Sequence, residues 1–459
     1  MIGNVQTSGC RDTTVDDLAV LGPNLVTEAA LVRKIDWRIV PTLFLAYFLQ
    51  FLDKVAINYA NVMGLQKDLH MRNQDFAWTA GAFFVGYIVA QWPQGLLLRH
   101  FPAPKVLGYN ILLWGIILCF SAACRDKISI IALRTLLGMC EAAIAPTLIV
   151  TTSRWHIDAE APLRYGIWYC GLGAGQIIGG LISFCVQHSR STFAGWRVMF
   201  ICIGIVNILV ALLILFTLPD GPGEAQFLDQ DEKRLIRERL RRDKPDTKPA
   251  ESDLRLLREV LSDIQTWLLV LLTACITIPS GVISTFSAVL IHSFGYDSKQ
   301  SALLNMPSGV VSIFATILAT WAVLKHIPRW LSIIGLLIPA IIGAALLSFE
   351  GPSRPAGSLA GIYLVNFIVP PLALIYNWVG TNYDGHTMII AGNVVSCTFG
   401  IANIIGPQTY QAKDAPGYFP AKITLLGVIT AAIAISIALY RLYTHRNRMR
   451  VSEGFKYGL

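Results

Sequence analysis

At 459 residues the chain has the length of a few soluble domains. Its composition excludes that reading: 54% of residues are hydrophobic and 14% charged, against roughly 25% charged in soluble domains. The formal net charge of +8 does not indicate a nucleic-acid partner, because the basic residues follow a topological pattern set out below. Twelve apolar runs lie at 39–60, 76–98, 106–123, 128–150, 165–187, 198–218, 264–294, 301–324, 330–349, 356–380, 385–410 and 423–440. About 20 apolar residues cross a bilayer as a helix. Backbone groups in hydrocarbon must pair locally, so these runs are predicted to be helices. The expected fold class is an all-α integral membrane protein, with twelve transmembrane helices in two six-helix bundles.

Residues 1–38 are polar, with no apolar core leading to a small-residue cleavage site, so no cleavable signal peptide is expected. The run 39–60 holds Asp53 and Lys54. Gln50, Lys54, Asn58 and Asn61 recur at helical spacing and share one face. A cation flanked by amides suits a carboxylate-bearing ligand. The alternative is that Lys54 pairs with Asp53 or Glu141 and only pins helices together.

The run 128–150 holds Arg134 and Glu141, seven apart on one face, with Gly138 and Ala145 leaving room for close helix approach. Asp53, Lys54, Arg134 and Glu141 are the only Asp, Glu, Lys or Arg in all twelve runs. Each costs about 2.5–3.5 kcal/mol at a helix centre on insertion scales, so such residues face cavities and pair. An acid in apolar surroundings takes up a proton more readily than in water. Arg134, Glu141 and Asp53 are therefore the candidates for proton coupling; a purely structural ion pair is the other reading. In the run 165–187, the glycines from Gly171 to Gly180 point to close packing, and Tyr169 and Gln176 share a face that can line a cavity.

Pro219–Asp263 separates the two sets of six runs. It reads as a linker with a charged stretch from Asp229, then a short amphipathic helix capped by Ser252, with Leu254, Leu257 and Leu261 on one face. The expected organisation is an N-terminal segment 1–38, a first bundle 39–218, a linker 219–263, a second bundle 264–443 and a basic tail 444–459. In the second bundle polarity is neutral. Trp378 precedes the link to the eleventh run, and His386, Asn393 and Gly400 share a face of that run. With Lys54, Asn58, Gln50, Tyr169 and Gln176, the residues Trp378, His386 and Asn393 complete the candidate substrate-binding set. Pro370-Pro371, Pro146 and Pro307 are expected to kink their helices.

With the N-terminus inside, 25 of the 37 Lys and Arg residues fall on the inner side and 10 on the outer. The positive-inside rule then places both termini in the cytosol. The basic run from Arg441 to Arg450 is expected to meet anionic lipid headgroups. The nine cysteines show no paired spacing. No phosphate loop, metal-ligand cluster or nucleophile elbow is present, so no cofactor, metal or catalytic residue is expected.

Several stretches together resemble the major facilitator superfamily, and within it the fungal anion:cation symporters that include allantoate and nicotinate permeases. They are Phe51-Leu-Asp53-Lys54-Val-Ala-Ile-Asn58, Phe83-Phe-Val-Gly86-Tyr-Ile, Arg134-Thr-Leu-Leu-Gly138-Met-Cys-Glu141-Ala, Leu304-Asn-Met-Pro307-Ser-Gly309, and Asn382 with Gly385-His386-Thr387. The resemblance covers roughly Arg33 to Tyr443. It implies proton-coupled uptake of a small organic anion, with Arg134 and Glu141 at positions tied to coupling and Lys54 at the basic position tied to anion binding. The chain departs from the pattern after the second run (Arg99 to Lys105), at Met388-Ile389 after Gly-His-Thr, and in the loop Leu324 to Trp330. Gln176, where drug/proton antiporters carry proline, favours symport.

The function expected is secondary active transport: proton symport of a small carboxylate-bearing anion by alternating access, in a monomer at the plasma membrane. The partners are the anion, the proton and the bilayer, with no nucleic acid. Export of a specialised metabolite, or a non-transporting nutrient sensor, are the alternatives.

Overall fold

The structure is a computed structural model of the whole chain. It describes residues 15–72, 74–157, 159–188, 193–243, 253–349, 355–383, 385–410 and 419–449, without the side chains of 15–27 and of several helix-end residues, His386 among them. The described residues are helical with short turns.

In chain order the helices are α1 (Val15–Val62), α2 (Asp75–His100), α3 (Ala103–Ser121), α4 (Lys127–Trp155), α5 (Ala161–His188) and α6 (Gly195–Thr217). Two linker helices follow, α7 (Gln230–Asp243) and α8 (Asp253–Ser262). The second set is α9 (Ile264–Ser293), α10 (Ser298–Leu324), α11 (Arg329–Phe349), α12 (Pro355–Asn382), α13 (Gly385–Thr409) and α14 (Phe419–Met449). Eleven of these are long and apolar enough to cross a membrane. The remaining expected span, α2, is a helix of 26 residues diluted by Gln91, Pro93 and Gln94. Its glutamines are buried; Gln94 donates to Asn110 Oδ1 at 2.8 Å and to the Met139 carbonyl at 3.1 Å.

Local chemistry sets the helix ends. Asp126 accepts from the N–H groups of Ile128 and Ser129 at 2.9 Å and caps α4. Asp297 and Gln300 form a reciprocal capping box on α10. Gly64 and Gly295 turn the chain at φ 100° and 96°. Proline interrupts two spans where the sequence predicts. In α4 the helix breaks at Ala142–Ala143, since Pro146 has no N–H for the Ala142 carbonyl. In α12 a 3₁₀ turn at Asn366–Ile368 precedes Pro370-Pro371. Both breaks lie beside polar residues of the site: Glu141 in α4 and Asn366 in α12.

One core packs α1 to α6 around Trp114, Trp155, Trp196 and Phe200; another packs α9 to α14 around Leu336, Ile375, Trp378 and Tyr443. The linker is divided between them. Its first part docks on the first bundle, through Lys34 to Glu232 at 2.8 Å, Arg154 to Asp220 at 2.6 Å, Arg239 to Glu160 at 2.7 Å, and a Phe227–Trp155 stack. The second part, α8, docks on the second bundle by Leu256 and Val260, and Arg446 of α14 pairs with Asp263. This corrects the sequence expectation for α8: Leu261 is 37% exposed, so the buried stripe lies one residue round from the predicted face, while Ser252 and the Leu254 side chain fall outside the described residues. Of the basic tail, Arg446 is engaged within the protein by Asp263 and Gln265. Because Lys34, the linker and Arg446 meet, the start of the first span, the linker and the end of the last span share one face of the molecule, called here the linker face.

Candidate functional site

Asp53 and Lys54 are adjacent on α1, so their side chains leave the helix about 100° apart. Asp53 points into its own bundle, where Arg134 Nη1 donates to Asp53 Oδ2 at 3.4 Å. Lys54 points the other way, with its Nζ 3.9 Å from Glu141 Oε2. Arg134 and Glu141 stand on one face of α4, as their spacing predicts. Asp53 and Glu141 are fully buried and Arg134 is 2% exposed; the Lys54 side chain is 15% exposed. The four intramembrane ionisable residues therefore form one cluster whose formal charges sum to zero.

The cluster is loosely bonded. Both Glu141 oxygens, Asp53 Oδ1 and Arg134 Nε and Nη2 are buried with no hydrogen-bond partner. Arg134 lies over the Phe200 ring at 5.2 Å. Lys54 sits among three phenyl faces: Phe83 at 5.6 Å and Phe84 at 6.0 Å from α2, and Phe399 at 5.6 Å from α13 of the second bundle. Such contacts hold an ammonium without hydrogen-bonding it. Glycines make this approach possible. A Cβ on Gly86 would strike the Thr135 carbonyl, and one on Gly138 the Phe83 carbonyl, so α2 and α4 touch backbone to backbone and carry Phe83 to Lys54.

The glycines of α5 serve two faces. Cβ atoms on Gly171 and Gly175 would press on α1 at Phe48 and Leu52, both at 2.9 Å. Those on Gly173 and Gly180 would meet α10 at Gly309 and Ala302. Helix α5 is thereby wedged between the bundles, and Gln176 reaches their interface. A narrow cleft there is lined by Phe51 and Gln176 of the first bundle and by Ser280, Ser284 and Asn366 of the second.

On the side of this cleft away from the linker face, the bundles are joined by neutral polar groups. Asn58 Nδ2 donates to Ser287 Oγ at 2.8 Å, and the Ala288 N–H donates to Asn58 Oδ1 at 3.2 Å. Asn305 Nδ2 donates to the Tyr59 hydroxyl at 3.1 Å, and Gln176 Nε2 to Asn305 Oδ1 at 3.4 Å. Towards the linker face, Tyr169 donates to the Val369 carbonyl at 3.3 Å and stacks on Tyr47. A Cβ on Gly400 would abut Ile88 of α2, yet Asn393, two turns towards the linker face on the same side of α13, is exposed.

The structure thus brings Arg134, Glu141, Asp53 and Lys54 together and places Asn58, Gln176 and Tyr169 at the interface between bundles. Gln50 is buried one turn from Lys54. Trp378 is different: it is fully buried inside the second bundle, edge-on to Tyr443, and is a core residue. His386 lies outside the described side chains. Sequence reasoning missed Phe83, Phe84 and Phe399 around Lys54, and Tyr59, Ser287 and Asn305 in the polar seam. Asn305 lay within a quoted motif, but nothing in its spacing pointed to α1 or α5.

The Major Facilitator Superfamily model matches residues 43–407. The chain belongs to this superfamily: it is a multi-pass membrane transporter with the major facilitator fold, and not an enzyme. Among its relatives, the thiamine pathway transporter THI73 of Saccharomyces cerevisiae is 34% identical over 89% of this chain and 78% of its own. The allantoate permease of the same yeast is 33% identical over 91% of this chain and 79% of its own. The crystal structure of a D-xylose-proton symporter superposes with TM-score 0.66 at 13% identity, covering 88% of this chain and 97% of that one; at that identity the likeness concerns the fold. The sequence-level resemblance to the fungal allantoate-permease group therefore stands.

Proposed function

We propose that this transporter couples inward movement of a proton to that of a small carboxylate-bearing organic anion, by alternating access, with the linker face in the cytosol. One observation carries the reading: Lys54, an ammonium within a membrane-spanning helix, has phenyl faces from both bundles around it and Glu141 at 3.9 Å, and makes no hydrogen bond among the described residues. It is a cation held ready for an anion.

Charge balance then supplies the coupling. The empty cluster is neutral. An incoming carboxylate on Lys54 leaves Glu141 as a buried, uncompensated charge, which is costly in a low-dielectric interior. A proton on Glu141 removes that charge. Glu141 is the suitable acceptor because neither of its oxygens is hydrogen-bonded, whereas Asp53 has Arg134. Cargo and proton are stable together and unstable separately, with one proton per carboxylate. The allantoate permease among the relatives fits an anionic cargo, and the 25 basic residues that the sequence pattern assigns to the inner side fit a cytosolic linker face. A monomer in the plasma membrane completes the reading.

The test is an uptake screen of labelled monocarboxylates in a host lacking related permeases, repeated with Lys54→Ala. The reading expects at least one carboxylate to be taken up, and Lys54→Ala to weaken inhibition by carboxylates at least tenfold more than by their neutral amides. Equal loss for acid and amide would make Lys54 a structural residue.

A further inference from the structure

The seam between the bundles contains one side chain that also borders the cleft. Gln176 uses its backbone carbonyl to accept from the Tyr59 hydroxyl at 3.0 Å, and its side-chain Nε2 to reach Asn305 Oδ1 at 3.4 Å. Asn305 Nδ2 returns to the Tyr59 hydroxyl. The three residues close a ring: Tyr59 and Gln176 come from the first bundle, Asn305 from the second. Tyr59 and Asn305 are fully buried and Gln176 is 3% exposed. Within the ring, both bonds that cross between the bundles end on Asn305, and one of them is the longest of the three. The Gln176 side chain also lines the cleft beside Phe51, Ser280 and Ser284. A primary amide offers two donor hydrogens and an acceptor oxygen, and Gln176 commits one of these to the seam.

We propose that Gln176 is the positioning residue by which an occupied cleft unlocks the seam: its amide holds Asn305 while the cleft is empty and turns to the cargo when it is filled. Asn305 Oδ1 then loses its donor. A neutral buried hydrogen bond contributes about 1 kcal/mol net, so its loss shifts the closed-to-open balance of the seam about fivefold. This also gives Asn305 of α10 a role that anion binding and proton coupling do not use. The inference rests on the proposed function and adds to it that the body of an anion held at Lys54 lies in the cleft, whose Phe51 stands one turn of α1 from Lys54.

The experiment reads the seam directly. Ala302 of α10 is 1% exposed and lies against Gly180 in the closed seam. Ala302→Cys, in a chain otherwise free of cysteine, is exposed in proteoliposomes to a membrane-impermeant thiol reagent from the far face. Ser280→Asn supplies the cleft with a permanent polar partner for the Gln176 amide, and Ser284→Asn is the second such variant should the first fold poorly. The expected result is labelling about fivefold faster with Gln176→Leu and with Ser280→Asn, and no further increase when the two are combined. Unchanged labelling in Gln176→Leu, or increases that multiply in the combination, would overturn the inference. The readout needs neither anion nor proton gradient. Failure of the symport reading shows instead as gradient-driven uptake that survives Lys54→Ala and Glu141→Gln while the labelling pattern holds.

Discussion

In the proposed function the chemistry turns on two adjacent residues. Asp53 and Lys54 differ by one helical step, and that step sends the acid to Arg134 inside the bundle and the base towards the interface. The Arg134–Asp53 pair is buried at 3.4 Å, and breaking such a pair from one side leaves an uncompensated charge. Arg134→Leu is therefore expected to destabilise the protein by about 3–5 kcal/mol, read as a lowered thermal midpoint in detergent. Adding Asp53→Asn should recover much of that loss, because no charge is then stranded. If the double variant is no better than the single, the pair is not what Arg134 supports. The contact between α2 and α4 is a second residue-scale test. Gly138→Val places a side chain onto the Phe83 carbonyl, so α2 must move and Phe83 must leave Lys54. Loss of folded yield, or a large loss of uptake in whatever folds, is expected; normal uptake would show that the phenyl enclosure of Lys54 is dispensable.

At the scale of elements, the linker works as two pieces, each belonging to one bundle. The first is held by charge pairs on a partly exposed surface, worth roughly 0.2–1 kcal/mol each, and by the Phe227–Trp155 stack. Lys34, hydrogen-bonded to Glu232, holds that carboxyl below its ordinary range. A depressed carboxyl stabilises the docked helix at pH above its unfolded value, and the contribution is lost as pH falls through the folded value. Hydrogen exchange of α7, taken relative to the intrinsic rate at each pH, should therefore be slow at neutral pH and quicken only below about pH 4.3, the ordinary range of glutamate. Glu232→Gln should quicken it at neutral pH. Exchange insensitive to both changes would mean that the aromatic stack alone docks α7. The elements themselves were largely legible from the sequence. Long uncharged runs must be helices in hydrocarbon, and Pro146 and Pro370-Pro371 announced the breaks beside Glu141 and Asn366. Helix α2 was harder because its glutamines are buried, Gln94 bonding to Asn110 and Met139, which lowers its apolar content without changing its fate. The docked face of α8 was misjudged because a short run rich in leucine offers two adjacent stripes, and only contact with α9 and α13 chooses Leu256 and Val260.

For the whole molecule, the charged centre was readable because buried charge is scarce: four such residues in twelve apolar runs had to meet. What the sequence did not show was everything that depends on the second bundle coming against the first. Phe399 is an ordinary core residue by composition, and Asn305, Ser287 and Tyr59 are ordinary helix residues; their roles arise from pairings more than 200 positions apart, such as Lys54 with Phe399, Asn58 with Ser287 and Tyr59 with Asn305. Trp378 erred in the opposite direction, since a tryptophan near a helix end reads as lining while the fold uses it as filling. In the proposed function a neutral charge cluster in the first bundle faces the second, and cargo and proton supply each other's missing counter-charge. The sharpest measurement is uptake into proteoliposomes of the carboxylate found in the screen, driven by a pH gradient, in Glu141→Gln. The account predicts that accumulation against a concentration gradient is abolished while exchange of internal for external cargo continues. Accumulation at the unaltered level would contradict it.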